Sequence, residues 1–337
     1  MSIPSKSFWK EIKRPIKVLA PMAGYTDSAF RTICRQFGAD VTITELVSAD
    51  AIAFGKFKVE KNDGKTRVIS TKNKTTAEML SFSEAERPLV VQLFGKYPKK
   101  FALAAKWISE NLKPDGIDIN MGCPARKVVG SDHGAALLKY PDLACEIVQA
   151  VKENTNLPVS VKTRLGWDQE DAILEFGPKM ISAGAEALII HGRTYKNGFS
   201  GEARWENIYR LKKIVGDNIV IGNGDIEGIS DLERRINGVI DGQNITLDGV
   251  AIGRATFGKP WIFDRNHESG IMNQEFLKKT ILDHARLTLE DKGDKGIIEL
   301  RKHLLAYLKG FPNSKELRVS ATKIEKVGDI EQILSNI

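Results

Sequence analysis

Short apolar, β-branched runs alternate with longer amphipathic stretches along most of this chain. The runs fall at 17–22, 41–47, 89–94, 116–120, 159–164, 187–191, 218–222 and 249–253, eight in all. Helical periodicity marks 28–37, 99–111, 141–154, 171–183, 205–215 and 230–237. Strands that are apolar almost throughout, rather than at every second residue, belong to a parallel sheet with helices on its faces. Eight such units predict a closed (β/α)₈ barrel, the TIM-barrel architecture of the α/β class, in preference to an open doubly wound sheet.

The rhythm changes after Pro260. Segments 276–289, 296–309 and 323–334 read as helices with no strand between them. The chain is therefore expected to divide into a catalytic barrel over 1–264 and a small C-terminal all-α domain over 265–337. Two segments interrupt the barrel pattern. The stretch 55–70 is polar and basic, and from there to Pro88 the chain reads as the helix closing the second unit. The stretch 237–248 is a polar insertion before the last strand.

Composition narrows this picture. A chain of 337 residues holds one barrel of about 250 residues and an appendage. Hydrophobic residues at 42% and charged residues at 28% are globular values and exclude extensive disorder. The net charge of +7 is compatible with a polyanionic partner such as nucleic acid without establishing one. Between Lys56 and Lys74 seven Lys or Arg face two acids, which makes that interruption the most basic local feature. Three cysteines, Cys34, Cys123 and Cys145, lack paired spacing, which argues against a disulfide framework and suits a reducing, cytoplasmic setting. The stretch 1–17 lacks the apolar core of a signal peptide, and no run approaches 18 uncharged apolar residues, so neither secretion nor a membrane span is expected.

Barrel enzymes carry their chemistry at the C-terminal ends of the strands, and the unusual residues of this chain gather there. Strand one runs into Pro21-Met22-Ala23-Gly24, strand three carries Gln92, and strand four runs into Asn120-Met121-Gly122-Cys123-Pro124. Strand five carries Lys162 and Arg164, and strand six ends at His191. Strands seven and eight run into Asn223-Gly224-Asp225 and Gly253-Arg254. Glycines at the last two ends would let backbone N–H groups approach a phosphate, with Arg254 adding a charge-assisted contact. A dinucleotide fingerprint is rejected, because the helix-opening glycine that should follow Gly222 and Gly224 is misplaced. Lys162 and Arg164 share one strand face, so both point to solvent or both point inward and need anionic partners. Cys123, in a tight strand-end loop, has a thiol that stays protonated at neutral pH and could serve as an acid. Cys34 and Cys145 read as packing residues inside helices. His133, His267, His284 and His303 read as ordinary histidines.

Ala20-Pro-Met-Ala-Gly-Tyr-Thr-Asp27 with Phe30-Arg31, Val91-Gln-Leu-Phe-Gly95, Asp118-Ile-Asn-Met-Gly-Cys-Pro124, Val161-Lys-Thr-Arg-Leu-Gly-Trp167, His191-Gly-Arg-Thr194, Gly222-Asn-Gly-Asp225 and Gly253-Arg254 together resemble the tRNA-dihydrouridine synthase family. The match runs in order through the whole barrel, and Arg301–Gly310 is similar to that family's helical RNA-binding domain. The chain departs from the usual pattern at Tyr25, where a smaller residue is common, and in the 237–248 insertion. The resemblance implies this fold and an enzyme that uses FMN, and NADPH or NADH, to reduce the 5,6 double bond of uridines in tRNA; a cytoplasmic monomer without a metal is expected alongside. It further implies that Pro21, Met22, Ala23 and Gln92 hold the isoalloxazine ring, and that Lys162 and His191 touch it. Asn223, Gly224, Asp225, Gly253 and Arg254 would take the phosphate, Cys123 would be the proton donor, and Asn120 and Arg164 would lie near the uracil. Two other functions fit parts of the pattern. A small-molecule flavin reductase of the dihydroorotate or dihydropyrimidine dehydrogenase type would not need a basic helical tail. A non-catalytic RNA-binding barrel would not need Cys123 and Lys162.

Overall fold

The computed structural model describes residues 7–267, 273–311 and 313–337. Residues 1–6, part of the segment read as free of a targeting signal, lie outside the described residues, as does the side chain of His267. Eight parallel strands form the barrel: β1 (Ile16–Leu19), β2 (Val41–Ile43), β3 (Leu89–Phe94), β4 (Gly116–Met121), β5 (Val159–Arg164), β6 (Ala187–His191), β7 (Ile219–Asn223) and β8 (Gly249–Ile252). Each pairs with its sequence neighbours, and β8 closes the ring on β1 in register from Ile16↔Gly249 to Leu19↔Ile252. The (β/α)₈ expectation is met.

Strand alternation sorts the side chains into two cores. Residues facing outward pack under the surrounding helices. Residues facing inward stack in layers: Ile16, Val18, Val41, Ile43, Ala187, Ile189, Ile219 and Ile221 fill the lower barrel. Trp9, from the short helix Phe8–Glu11, joins these layers with no solvent exposure. Toward the C-terminal ends the inward positions turn polar, with Gln92, Asp118, Asn120, Ser160, Arg164, His191 and Asn223 all buried. The functional layer therefore rests on a dry, branched aliphatic floor.

Both interruptions fold as β-hairpins, which the polar composition hides. Lys58–Asn62 pairs with Lys65–Ile69, and Asn237–Ile240 with Gln243–Thr246. Each turns on an Asp-Gly pair with positive φ at both residues: Asp63 (47°) and Gly64 (70°), then Asp241 (52°) and Gly242 (75°). Asp-Gly in that conformation matches the twist of a two-residue hairpin. The stretch expected as one helix up to Pro88 holds only the short helix Lys74–Leu80, followed by the strand Phe82–Ser83 and a 3₁₀ turn at Glu84–Glu86. The second strand is likewise shorter than expected: it breaks at Thr44 and resumes at Val47–Ser48, which pairs with β3.

The 3₁₀ turn carries a buried ion pair. Arg31 Nε donates to Glu86 Oε2 at 2.6 Å, and its other nitrogens donate to the carbonyls of Thr26 and Ser81. Glu86 also accepts from Ser28 Oγ and the Ser83 N–H, so no charge or lone pair is left stranded. Replacing Arg31 with Met leaves that carboxylate buried and unpaired, and should destabilise the fold by about 3–5 kcal/mol. Urea unfolding measures this, and an unchanged midpoint would refute it.

Among the described residues the tail contains four helices rather than three: Gln274–Lys292, Asp294–Tyr307, Ser314–Ala321 and Val327–Leu334. Their apolar core takes in Leu277, Ile281, Leu304 and Ile330, and reaches back to Trp261. The tail is fastened to the barrel by Lys292 to Asp27 (2.8 Å), Lys65 to Glu290 (3.0 Å), and a contact between His303 Nε2 and the Tyr25 carbonyl (3.2 Å). Arg67 also donates to the Glu290 carbonyl. Two cations of the basic 56–74 segment thus hold the tail.

Candidate active site

A cavity of about 1410 Å³ opens at the C-terminal ends of the strands and runs to the tail. Cys123, Asn120, Lys162, Arg164, His191, Pro21, Met22, Ala23, Asn223, Gly224, Asp225, Gly253 and Arg254 all line it. Of the candidate residues only Gln92 stands behind the wall, fully buried on β3. Tyr25 also borders the cavity, stacked on Phe257 with ring centroids 4.1 Å apart.

The Cys123 loop is capped by the Asn120 side chain at the end of β4. Asn120 Oδ1 accepts from the N–H of Cys123 at 2.9 Å and from that of Gly122 at 3.3 Å. This is the local side-chain turn that Asn forms readily. Burial pushes the Cys123 thiol above its ordinary range, outweighing the opposing pull of a backbone hydrogen bond from Ala125 and of Arg164 and Lys162. The sulfur therefore carries its proton at neutral pH.

Lys162 and Arg164 both point inward. Lys162 Nζ donates to Asn223 Oδ1 at 3.0 Å, while Asn223 Nδ2 donates to the Ala251 carbonyl at 2.7 Å. Burial, and secondarily Arg164, lowers the lysine to about 8, so it is still mainly charged at pH 7. Arg164 ties two loops together, donating to the carbonyls of Gly122 (2.8 Å), Thr194 (3.0 Å) and Gly198 (2.8 Å). His191 sits among Lys162, Arg164, Arg193 and Arg254, and burial together with these cations lowers it to about 2. Its imidazole is neutral, and the cluster as a whole is positive.

Arg193 and Asp118 stand inside the resembling motifs without an expected role, yet both are structural centres. Arg193 donates to both oxygens of Asp225 at 2.8 and 2.9 Å, and Asp225 also accepts from the Ala203 N–H at 2.6 Å. The Asp225 carboxylate is thus committed to the 193–203 loop, and only the backbone of this residue is free to meet an anion. Asp118 accepts from Ser160 and Gln92 beneath Asn120. Strand parity is the signal that finds such residues: Asp118 lies two before Asn120, and Ser160 two before Lys162, on the same inward faces.

The ends of β7 and β8 fit a phosphate. Gly224 has φ +122°, and a Cβ there would come within 2.7 Å of Ala203 Cβ and 3.0 Å of His191 Cδ2. Among the described residues, the backbone N–H groups of Gly224, Gly253 and Arg254 have no protein partner. Arg254 has no acidic partner there either; its guanidinium lies 4.7 Å from the Phe199 ring centroid. Unpaired N–H groups beside a free guanidinium form an anion cradle. A flavin phosphate suits it, and Lys162 and the neutral His191 lie along the same wall for the ring. Among the described residues no group of three or more His, Cys, Asp or Glu is placed to hold a metal ion, and no helix is long and apolar enough to cross a membrane.

Residues 18–337 match the family model described as Dihydrouridine synthase. The chain is 35% identical over 321 residues to a probable tRNA-dihydrouridine synthase of Aquifex aeolicus, covering 93% of each chain. It is 34% identical over 330 residues to tRNA-dihydrouridine synthase B of Pseudomonas syringae, covering 95% of this chain and 89% of that one. A probable tRNA-dihydrouridine synthase of Rickettsia conorii is 33% identical over 311 residues, covering 89% and 86%. A match this long, spanning barrel, site loops and helical tail together, places the chain in the dihydrouridine synthase family.

Proposed function

We propose that this protein is a tRNA-dihydrouridine synthase that uses FMN and NADPH or NADH, with Cys123 as the proton donor. The observation that carries the reading is a half-buried cysteine thiol lining a positive, glycine-edged cavity at the mouth of a barrel whose family is dihydrouridine synthase. Saturating the uracil 5,6 bond requires a hydride at C6 and a proton at C5. When bound, FMN supplies the hydride chemistry.

The chain's residues do the rest. Backbone N–H groups of Gly224, Gly253 and Arg254, with the Arg254 guanidinium, hold the phosphate. Lys162, fixed by Asn223, would hold its positive charge toward the flavin ring, and neutral His191 would add a donor there. Pro21, Met22 and Ala23 form the wall the ring rests on. Asn120 aims the Cys123 loop, and the thiol proton goes to C5 of the uracil. Arg164 shapes the uracil's side of the cavity by joining the loops after β4 and β6. The cavity exceeds the roughly 300–1,000 Å³ of ordinary small-ligand pockets, which suits a flavin with a nucleobase splayed out onto it. The tail beyond residue 264 and the basic hairpin supply the tRNA surface. Lys65 and Arg67 are engaged with the tail, Lys58 pairs with Glu60 and Lys61 donates to the Leu112 carbonyl, which leaves Lys56, Lys72 and Lys74 as the basic segment's candidates for phosphate contacts. The enzyme acts as a cytoplasmic monomer without a metal.

Purified protein should release FMN, not FAD, on denaturation, and should form dihydrouridine in unmodified tRNA with NADPH. Chromatography of the flavin and nucleoside analysis of the tRNA check both. A colourless protein that cannot be reconstituted with FMN would sink the reading. Reduction of free pyrimidines but not tRNA would favour the small-molecule reductase.

A further inference from the structure

Asp118 lies on β4, fully buried, on the same inward face as Asn120 and one step deeper in the barrel. Both its oxygens are engaged. Oδ1 accepts from Ser160 Oγ at 2.6 Å, and Oδ2 accepts from Gln92 Nε2 at 2.7 Å. A carboxylate can only accept, so Gln92 must turn its NH₂ toward Asp118. That leaves Gln92 Oε1 to accept from Asn120 Nδ2 at 3.0 Å. Asn120 Oδ1 is then the atom left to receive the N–H groups of Cys123 and Gly122. Each amide's orientation is dictated by the link before it. Without an acceptor at the base, Gln92 and Asn120 could both reverse, and Asn120 would present NH₂ to two N–H donors. The Cys123 loop would lose its cap.

We propose that Asp118 is a positioning residue for Cys123, acting through Gln92 and Asn120 to hold the thiol-bearing loop against the cavity. This deepens the reading of Cys123 as proton donor and takes its functional meaning from it. The relay requires an acceptor facing Gln92, not a negative charge. Burial raises the Asp118 carboxyl to about 7, against the pull of Ser160, Gln92 and Lys162. The Ser160 hydroxyl can either donate or accept. A protonated Asp118, or an Asn in its place, can therefore turn its donor toward Ser160 and keep an oxygen toward Gln92.

The test is alkylation of Cys123 by iodoacetamide in the purified full chain, followed at the Cys123 peptide by mass spectrometry. Asp118→Leu should accelerate the reaction about tenfold, the factor that one lost buried hydrogen bond carries. Asp118→Asn should stay within about threefold of wild type. Should Asp118→Leu fail to fold, Gln92→Met breaks the second link with Asp118 intact and should give the same acceleration. Wild-type alkylation rates in the folded member of this pair would overturn the proposal. So would an Asn variant that reacts as fast as Leu, since charge would then be what matters. The readout needs no tRNA: if the variants behave as expected while the wild-type protein forms no dihydrouridine, the relay stands and the proposed activity falls.

Discussion

Replacing Cys123 with Ala is expected to lower turnover on tRNA by roughly 10²–10⁴, the usual range for losing a general acid, while NADPH still reduces the bound flavin at the wild-type rate. The two half-reactions separate because the thiol is needed only when the pyrimidine takes up its proton. Anaerobic stopped-flow measures them one at a time: flavin bleaching by NADPH, then its return on adding tRNA. Ser should rescue poorly, because a hydroxyl is a far weaker acid than a thiol. The pH dependence has a definite sign. The group must be protonated to act, so activity falls as pH rises through its pKa. Burial outweighs Lys162 and Arg164 and places that limb above the ordinary thiol range. Re-oxidation of the flavin by tRNA at the wild-type rate in Cys123→Ala would show that another group is the acid, whatever the family.

Gly224→Ala is expected to weaken FMN binding by roughly 5- to 150-fold, the equivalent of the roughly 1–3 kcal/mol that a residue held in a disfavoured backbone region costs. The new methyl would meet Ala203 Cβ at 2.7 Å and the His191 ring at 3.0 Å. The backbone at φ +122° would have to move, taking its unpaired N–H with it. Gly242→Ala is the control. It also sits at positive φ, 75°, but at the tip of the distant hairpin with nothing within 4 Å of a Cβ. It should lower stability slightly and leave flavin affinity alone. Titration of the apo-proteins by flavin fluorescence compares the two. Equal affinity in Gly224→Ala and wild type would move the phosphate away from the end of β7.

Some of the site was legible in the chain because it depends on strand ends. All thirteen residues singled out for catalysis or ligand binding besides Gln92, Cys123 among them, need only be near the end of a strand to reach the cavity.

 A parallel barrel puts every such end on one face, so eight correctly read strands are enough to gather them. Gln92 lies level with Asp118 and Ser160, one inward-facing layer below Asn120 and Lys162, and it serves Asn120 from behind the wall. The two hairpins were legible in principle, in Asp63-Gly64 and Asp241-Gly242, but alternating charged and polar residues hid the strand period. The additional tail helix, Ser314–Ala321, buries only Leu317 and Ala321, too few apolar positions to mark a helical stripe.

The sequence by itself determined the barrel, its strand order, the helical tail and the family, because these rest on local periodicity and on motifs read in order along the chain. Only the tertiary structure decided which polar atom faces which. Asp225 carries the same carboxylate in either reading, but Arg193, 32 residues away, turns it from a phosphate contact into a loop anchor. Arg164 becomes a clasp between two loops through carbonyls that no side-chain code announces. Asp118, Gln92 and Ser160 come together across three neighbouring strands. The physical reason is that a buried hydrogen bond depends on donor and acceptor meeting within about 3 Å at a suitable angle, and residues 26 and 42 positions apart reach that distance only once the sheet has closed.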